Sequence, residues 1–259
     1  LIKTAVRNIN RGQKSLRLFE QGHTFVQLPK QGRAERSSLA VLVTGPLPPD
    51  VWKPSGKEYD FFDIKGVLET LLERFDMALD FRPAAKPFLT AEASLEGFTG
   101  SRSVVSLGQI DPRTAKNMGL EQPAFALEMN LEALVEALPE TTRFAPLPRF
   151  PGIYRDLSLL VDTPVSSGQV RDVIQKSGAP WLTQVDLYDL FAGKKLPQGK
   201  KSLTFALTFQ CPDRTLTDRE IIPVVDRIIE NLGQTLGASL RDLQEATRPR
   251  PVDTYPSGC

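Results

Sequence analysis

A cluster of prolines just past the middle limits how this chain can fold more than any other feature of its sequence. Four prolines lie within residues 139–152: Pro139, Pro146, Pro148 and Pro151. Each one fixes its own φ angle and disfavours helix in the residue before it, so the segment predicts an extended surface linker between two folded parts. A polar, proline-rich tail is expected to be disordered. The first part, the linker, the second part and the tail are assigned to residues 1–142, 143–149, 150–242 and 243–259.

The first part shows mixed helix and strand patterns. Short apolar runs beside turn residues predict four strands, at residues 16–19, 38–44, 104–110 and 124–129. The strongest helix signal covers residues 60–75, where apolar residues recur at three-and-four spacing behind Asp60 and Asp63. A second short helix is expected after Asn130. The opening residues 1–22 are interpreted as a helix already under way, and the chain as a piece of a longer polypeptide.

The second part has a more regular order of elements. Strands are predicted at residues 157–161, 183–191, 202–209 and 238–241, and helices at 165–177 and 217–236. This order, β-α-β-β-α-β, is that of a ferredoxin-like unit, in which two helices cover one sheet face and leave the other free to bind a ligand. Pro223 leaves two alternatives for the second helix: a kinked first turn after Thr217, which we favour, or a start near Ile222.

Charge and composition exclude several classes of protein. The net charge is 32 − 31 = +1, so any contact with nucleic acid must come from local patches. The two cysteines, Cys211 and Cys259, have no metal-binding spacing and form no disulfide framework, which predicts a reducing, cytoplasmic environment. The single histidine, His23, gives a hydrolase only one candidate base. No apolar run reaches the ~18 residues of a membrane span.

A lysine-rich loop carries the best functional signal that residue chemistry alone provides. Four lysines fall within residues 194–201: Lys194, Lys195, Lys200 and Lys201. Ammonium groups clustered on a loop neutralise phosphates and give salt-dependent RNA binding, although lysines also decorate many solvated hairpin loops. Arg214 has two open interpretations, a contact with RNA phosphate or a role in capping a helix.

Five segments, in order along the chain, resemble the bacterial-type phenylalanyl-tRNA synthetase β subunit. They are RLFEQGHTF (17–25), YDFFDIKGVLETLL (59–72), LGQIDP (107–112), RFPGIYRDLSLLVD (149–162) and GKKSLTFALTFQCPDRTLTDREI (199–221). The resemblance extends from Leu1 to about Arg241. It implies an α+β chain in which a class II synthetase-like α/β module without an active site precedes a ferredoxin-like βαββαβ anticodon-binding domain.

The same resemblance implies partners and roles. The chain would support subunit assembly and bind the tRNA(Phe) anticodon in a cytoplasmic ligase of two α and two β chains, with no DNA or membrane partner. It would hold no catalytic residue and no cofactor of its own, because ATP and magnesium bind the α subunit. In the family, positions matching Asp189, Phe191 and Ser202 take the first anticodon base by edge hydrogen bonds and stacking. The family often has Tyr at the position of Phe191, so stacking is kept and a hydroxyl contact is lost.

One departure and one rival hypothesis accompany this interpretation. Residues 89–95 read LTAEASL, where the family usually has a loop of the type Leu-His-Pro-Gly-Arg-Ser-Ala, which puts the usual contact of that loop in doubt. The alternative is a free-standing ferredoxin-like protein that binds a small molecule or peptide on its open sheet face, with the first part as a dimerisation module.

Helix 60–75, with Phe61 and Phe62, is expected to lie at an interface with a partner subunit.

Overall fold

The structure is a computed structural model that describes residues 1–28, 32–47, 56–84, 86–139, 149–193 and 196–241. The chain divides into two compact units, Leu1–Arg143 and Phe144–Cys259. Most of the predicted linker, the predicted tail, Lys194 and Lys195 lie outside the described residues, so their predictions stay open. Within the described ranges, no helix has the length and apolar character needed to cross a membrane.

The first unit is built on a six-stranded antiparallel sheet. Its strands are β1 (Leu16–Leu28), β2 (Gly32–Thr44), β3 (Asp80–Pro83), β4 (Leu89–Thr99), β5 (Arg102–Ile110) and β6 (Ala124–Asn130), in the spatial order β1-β2-β6-β5-β4-β3. Its helices are α1 (Ile2–Ile9), α2 (Phe61–Glu73), α3 (Pro112–Asn117) and α4 (Leu131–Ala137). Alternation along the strands divides the apolar residues between two cores: α2 and α4 pack on one face with Leu107 and Met129, and α1 and α3 on the other with Leu42 and Ile110.

Helix α2 forms where its sequence predicts. Asp60 caps it by accepting hydrogen bonds from the backbone N–H groups of Phe62 (2.7 Å) and Asp63 (3.2 Å), and the Asp63 carboxylate accepts from the Asp60 N–H (2.7 Å). Ile64 and Leu68 are fully buried. The four predicted strands and the helix after Asn130 are also present, with Asn130 capping α4.

Other predictions for this unit are wrong or incomplete. The opening helix ends at Ile9, and residues 16–28 form the long strand β1, which pairs with β2 along its whole length. Strands β3 and β4 and helix α3 were not predicted. Residues 89–95, expected as a loop, belong to β4, although the register with β5 is irregular between Leu89 and Ser94. Pairing with β5 therefore keeps residues 89–95 extended, although their sequence departs from that usual in the family.

The second unit confirms the ferredoxin-like fold. Its elements follow in the order β7 (Ile153–Asp162), α5 (Ser167–Gly178), β8 (Leu182–Phe191), β9 (Lys200–Phe209), α6 (Asp218–Leu236) and β10 (Ser239–Leu240), and the sheet order is β10-β7-β9-β8. Both helices pack on one side of the sheet. Their core residues, among them Ile174 and Ile228, meet Leu157, Leu203 and Phe205 from the central strands.

Helix α6 begins at Asp218, so the alternative start near Ile222 is wrong. The Glu220 carboxylate accepts hydrogen bonds from the N–H (2.9 Å) and Oγ1 (2.8 Å) of Thr217, which hold the first turn. Pro223 lies inside the helix. The hydrogen bond it removes costs ~3 kcal/mol, and the apolar face of α6, with Ile221 and Leu232 fully buried, outweighs that cost.

Candidate nucleic-acid interface

The predicted anticodon residues lie on the side of the second sheet opposite α5 and α6, which we call the outer face. Along β9, Leu203, Phe205, Leu207 and Phe209 point into the core, so the alternate residues Ser202 and Thr204 point to the outer face. Strand pairing sets Asp189 opposite Thr204 and Phe191 opposite Ser202. Asp189, Phe191 and Ser202 therefore share the outer face, on two neighbouring strands.

An irregularity in β8 decides this placement. Leu187 pairs with Phe205 and belongs to the core side, whereas Asp189 pairs with Thr204, so two steps along β8 correspond to one step along β9. Without this shift, Asp189 and Phe191 would continue on the side of Leu187 and face the helices. Phe191 accordingly does not pack in the core cluster of the second unit.

Arg241 joins this group, although no sequence pattern predicts a function for it. Its backbone N–H donates to the carbonyl oxygen of Ser158 (3.0 Å) at the end of β10. Its guanidinium carbon lies 5.3 Å from the centre of the Phe191 ring, and Nη1 donates to Ser202 Oγ (3.4 Å). Ser202 is fully buried even though it is on the outer face. Nothing in the local sequence around Arg241 marks this contact, because it depends on β10 lying beside β7.

The two described lysines of the predicted phosphate-binding loop point to opposite sides of the sheet. Lys200 pairs with Asp162 on the outer face, and its Nζ lies 2.8 Å from Asp162 Oδ1. Lys201 pairs with Val161, a fully buried core residue, so its side chain starts on the helix side. Of these two described lysines, Lys200 is the one that shares a face with the three predicted base-binding residues.

Arg214 makes the contact expected of a helix-capping residue. Nη1 and Nη2 donate to the two carboxylate oxygens of Glu220, at 3.0 and 2.5 Å. This hydrogen bonding, followed by that from Thr217, lowers the pKa of the Glu220 carboxyl from 4.5 to about 2. The same pairing raises the pKa of Arg214. The Arg214 side chain is thus already engaged at the start of α6, and its contact with RNA stays a prediction.

Apolar surface in the first unit marks candidate contact areas. Among the residues of this unit that the structure describes, the largely exposed aromatic side chains include Phe19 (77%), Phe25 (71%) and Phe62 (73%). Phe62 lies on α2, the predicted interface helix, whereas its neighbour Phe61 packs against the core. On the side of α1 and α3, a cavity of about 460 Å³ is lined by residues that include Ile2, Ala40, Met118 and Glu128.

Family models cover most of the chain. Residues 1–131 match the model described as the phenylalanyl tRNA synthetase beta chain CLM domain. Residues 148–241 match the ferredoxin-fold anticodon binding domain. A solved structure of a pyrrolysyl tRNA synthetase from Desulfitobacterium hafniense aligns over 52% of this chain and 46% of its own, with 16% identity and a TM-score of 0.39, which is too low to support any argument.

Curated relatives agree with these family models. Three of them are phenylalanine–tRNA ligase beta subunits, from Pseudomonas fluorescens, Geobacillus kaustophilus and Pseudomonas syringae. They are 37%, 33% and 38% identical to this chain, each over 93% of its length. The chain spans 30% of the length of these relatives. Because the first family model alone accounts for residues 1–131 of the 259, the chain belongs to the phenylalanyl-tRNA synthetase beta chain family.

Proposed function

We propose that this chain is a non-catalytic part of a phenylalanine–tRNA ligase, and that its second unit binds the anticodon of tRNA(Phe). The observation that carries the proposal is the meeting of Asp189, Phe191 and Ser202 on the outer face of a ferredoxin-like sheet. The match of this unit to an anticodon-binding family model supports it. The rival hypothesis, a free-standing small-molecule or peptide binder, is disfavoured by the family membership of both units.

The three side chains suit the recognition of one unpaired base. Proteins read such bases by stacking them on aromatic rings and by hydrogen bonds to their edges. The Phe191 ring offers the stacking surface. The Asp189 carboxylate accepts hydrogen bonds, which fits the N–H groups on the edge of guanine, and the Ser202 hydroxyl can both donate and accept. Lys200, on the same face, would neutralise a backbone phosphate, and we propose the same role for Lys194, Lys195 and Arg214.

For the first unit, we propose a role in assembly with the α subunit. The exposed rings of Phe19, Phe25 and Phe62 provide apolar area of the kind that protein partners cover. Aminoacylation chemistry, with ATP and magnesium, is assigned to the α subunit, and the working enzyme to two α and two β chains in the cytoplasm. No residue of this chain is assigned a catalytic role.

Binding of an anticodon stem-loop RNA to the 259-residue chain tests the anticodon proposal. Phe191→Ala should weaken binding by ~1–3 kcal/mol, as loss of base–aromatic stacking typically does, and Phe191→Tyr should be nearly neutral. Asp189→Ala should reduce discrimination against changes of the first anticodon base more than overall affinity, because edge contacts specify while phosphate contacts position.

Tyr154 provides a matched control. It is a half-exposed aromatic residue on the outer face, opposite Thr208, six residues along β9 from Ser202 and thus ~20 Å away. Tyr154→Ala should leave RNA binding unchanged. If Phe191→Ala remains folded by circular dichroism and binds the RNA as well as the parent chain does, the proposed site is wrong.

A further inference from the structure

We propose that Arg241 forms the second wall of the base site, so that one RNA base is held between its guanidinium group and the ring of Phe191. This inference rests on the proposed anticodon function and adds a residue from a different strand to it. Arginine is suited to this position because its guanidinium group is planar and stacks on aromatic faces while keeping its charge.

The backbone around Arg241 gives the side chain a fixed starting point. Ser239 and Leu240 pair with Leu160 and Leu159 of β7, and the N–H of Arg241 donates to the Ser158 carbonyl (3.0 Å). From this edge of the sheet, the side chain crosses β7 to reach Ser202 on β9 and Phe191 on β8. The outer end of the side chain can therefore move while its attachment to the sheet remains.

The distance between the two groups decides what the site can accept. Stacked bases are separated by about 3.4 Å, so a base between two planar groups needs about 6.8 Å. The guanidinium carbon lies 5.3 Å from the centre of the Phe191 ring. The two groups therefore lie too close for a base to enter as they stand, and a change of rotamer in the long Arg241 side chain supplies the movement that makes room for one.

Opening the site also releases the hydrogen-bonding group that a base edge would use. Ser202 is fully buried, and its hydroxyl oxygen accepts a hydrogen bond from Arg241 Nη1 at 3.4 Å, near the upper limit for such a bond. Withdrawal of the guanidinium group breaks this weak contact and exposes Ser202 Oγ beside the incoming base. In the absence of RNA, Arg241 keeps the hydroxyl partnered.

The test uses an anticodon stem-loop with 2-aminopurine as the first anticodon base, whose fluorescence falls when it is stacked. Arg241→Ala should weaken binding about fivefold or more and reduce fluorescence quenching. It should also lower the slope of log K against log salt by about 0.7, which is the contribution of one cation that neutralises a phosphate of single-stranded RNA. Arg241→Lys keeps the charge but not the plane, so it should restore the salt slope while quenching and affinity remain reduced.

The other outcomes are equally informative. If Arg241→Lys matches the parent chain in quenching and affinity, Arg241 acts only as a cation and the second wall is refuted. If Arg241→Ala matches the parent, Arg241 has no role in binding. Phe191→Ala, measured in parallel, separates the two proposals. If Phe191→Ala weakens binding and the Arg241 variants do not, only the role of Arg241 is refuted. If Phe191→Ala binds as the parent chain does, the proposed anticodon site itself is wrong. Should Arg241→Ala not fold, Arg241→Lys decides the question alone, because reduced quenching supports the wall and full quenching refutes it.

Discussion

The opposite orientations of Lys200 and Lys201 predict that these neighbouring lysines contribute unequally to RNA binding. Lys200 lies on the outer face with Asp189, Phe191 and Ser202, whereas Lys201 starts from the helix side. A residue-by-residue reading of the sequence treats the two as equivalent. Replacing each by alanine therefore tests whether the contribution of a lysine to RNA binding depends on the face of the sheet from which it starts.

The size of the effect follows from counterion release. A lysine that neutralises one phosphate of single-stranded RNA contributes about 0.7 to the slope of log K against log salt. Between about 1 M and 0.05 M salt, that slope corresponds to about eightfold in affinity. Lys200→Ala should lose this amount, and Lys201→Ala should lose little, because its side chain starts from the helix side of the sheet.

Asp162 sharpens the same prediction. Its carboxylate holds Lys200 Nζ at 2.8 Å, so an RNA phosphate must compete with it. Exposed ion pairs are worth ~0–1 kcal/mol, so Asp162→Asn should free Lys200 and strengthen RNA binding by up to about fivefold. The assay is fluorescence anisotropy of a labelled anticodon stem-loop over a series of salt concentrations. Equal changes of slope for Lys200→Ala and Lys201→Ala would show that the assignment of faces does not govern binding.

Two further predictions concern the stability of the second unit, measured by urea unfolding. The folded pKa of Glu220, about 2, lies below its ordinary value of 4.5, so the carboxylate contributes stability above pH 4.5 that is lost as the pH falls towards 2. Glu220→Gln should flatten this fall, and an unchanged pH profile would contradict the role of the Arg214 pair. Gly178→Ala should lower the free energy of unfolding by ~1–3 kcal/mol through overpacking, because its new methyl carbon would lie 2.3 Å from Leu182 Cδ2. On the same helix, Gly168→Ala meets no atom nearer than 3.8 Å and should be neutral or slightly stabilising, so similar losses at both positions would refute the steric explanation.

Local sequence patterns predict the elements whose signals are complete within a short stretch. Helix α2 has apolar residues spaced for one face behind two acidic residues at its start, and it forms as predicted; the structure adds that Asp60 and Asp63 cap it reciprocally. The βαββαβ order of the second unit likewise follows from alternation in its strands and three-and-four spacing in its helices. These signals are strong because each side chain acts on neighbours within one or two turns or strand steps.

Elements without such a local signal were missed. Strand β3 has only four residues, Asp80–Pro83, and exists as an edge strand through its pairing with β4. Strand β4 carries an irregular register between Leu89 and Ser94, which interrupts the alternation by which a strand is recognised. The first helix is shorter than predicted because residues 16–28 find a partner along the whole of β2, a pairing that overrides the local helical pattern.

For the binding site, the amino-acid sequence alone was enough to show that Asp189 and Phe191 share a side of one strand, because strand side chains alternate with a period of two. It could not show which side. That depends on the shift in register between Leu187 and Asp189, which turns both residues away from the helices and towards Ser202. The contact between Arg241 and Phe191 likewise depends on the pairing of β10 with β7. That pairing brings Arg241 near β8, from which it is distant in the sequence. A one-residue change of register exchanges the two faces of a strand, and register is decided by packing between strands rather than by the residues of either strand alone.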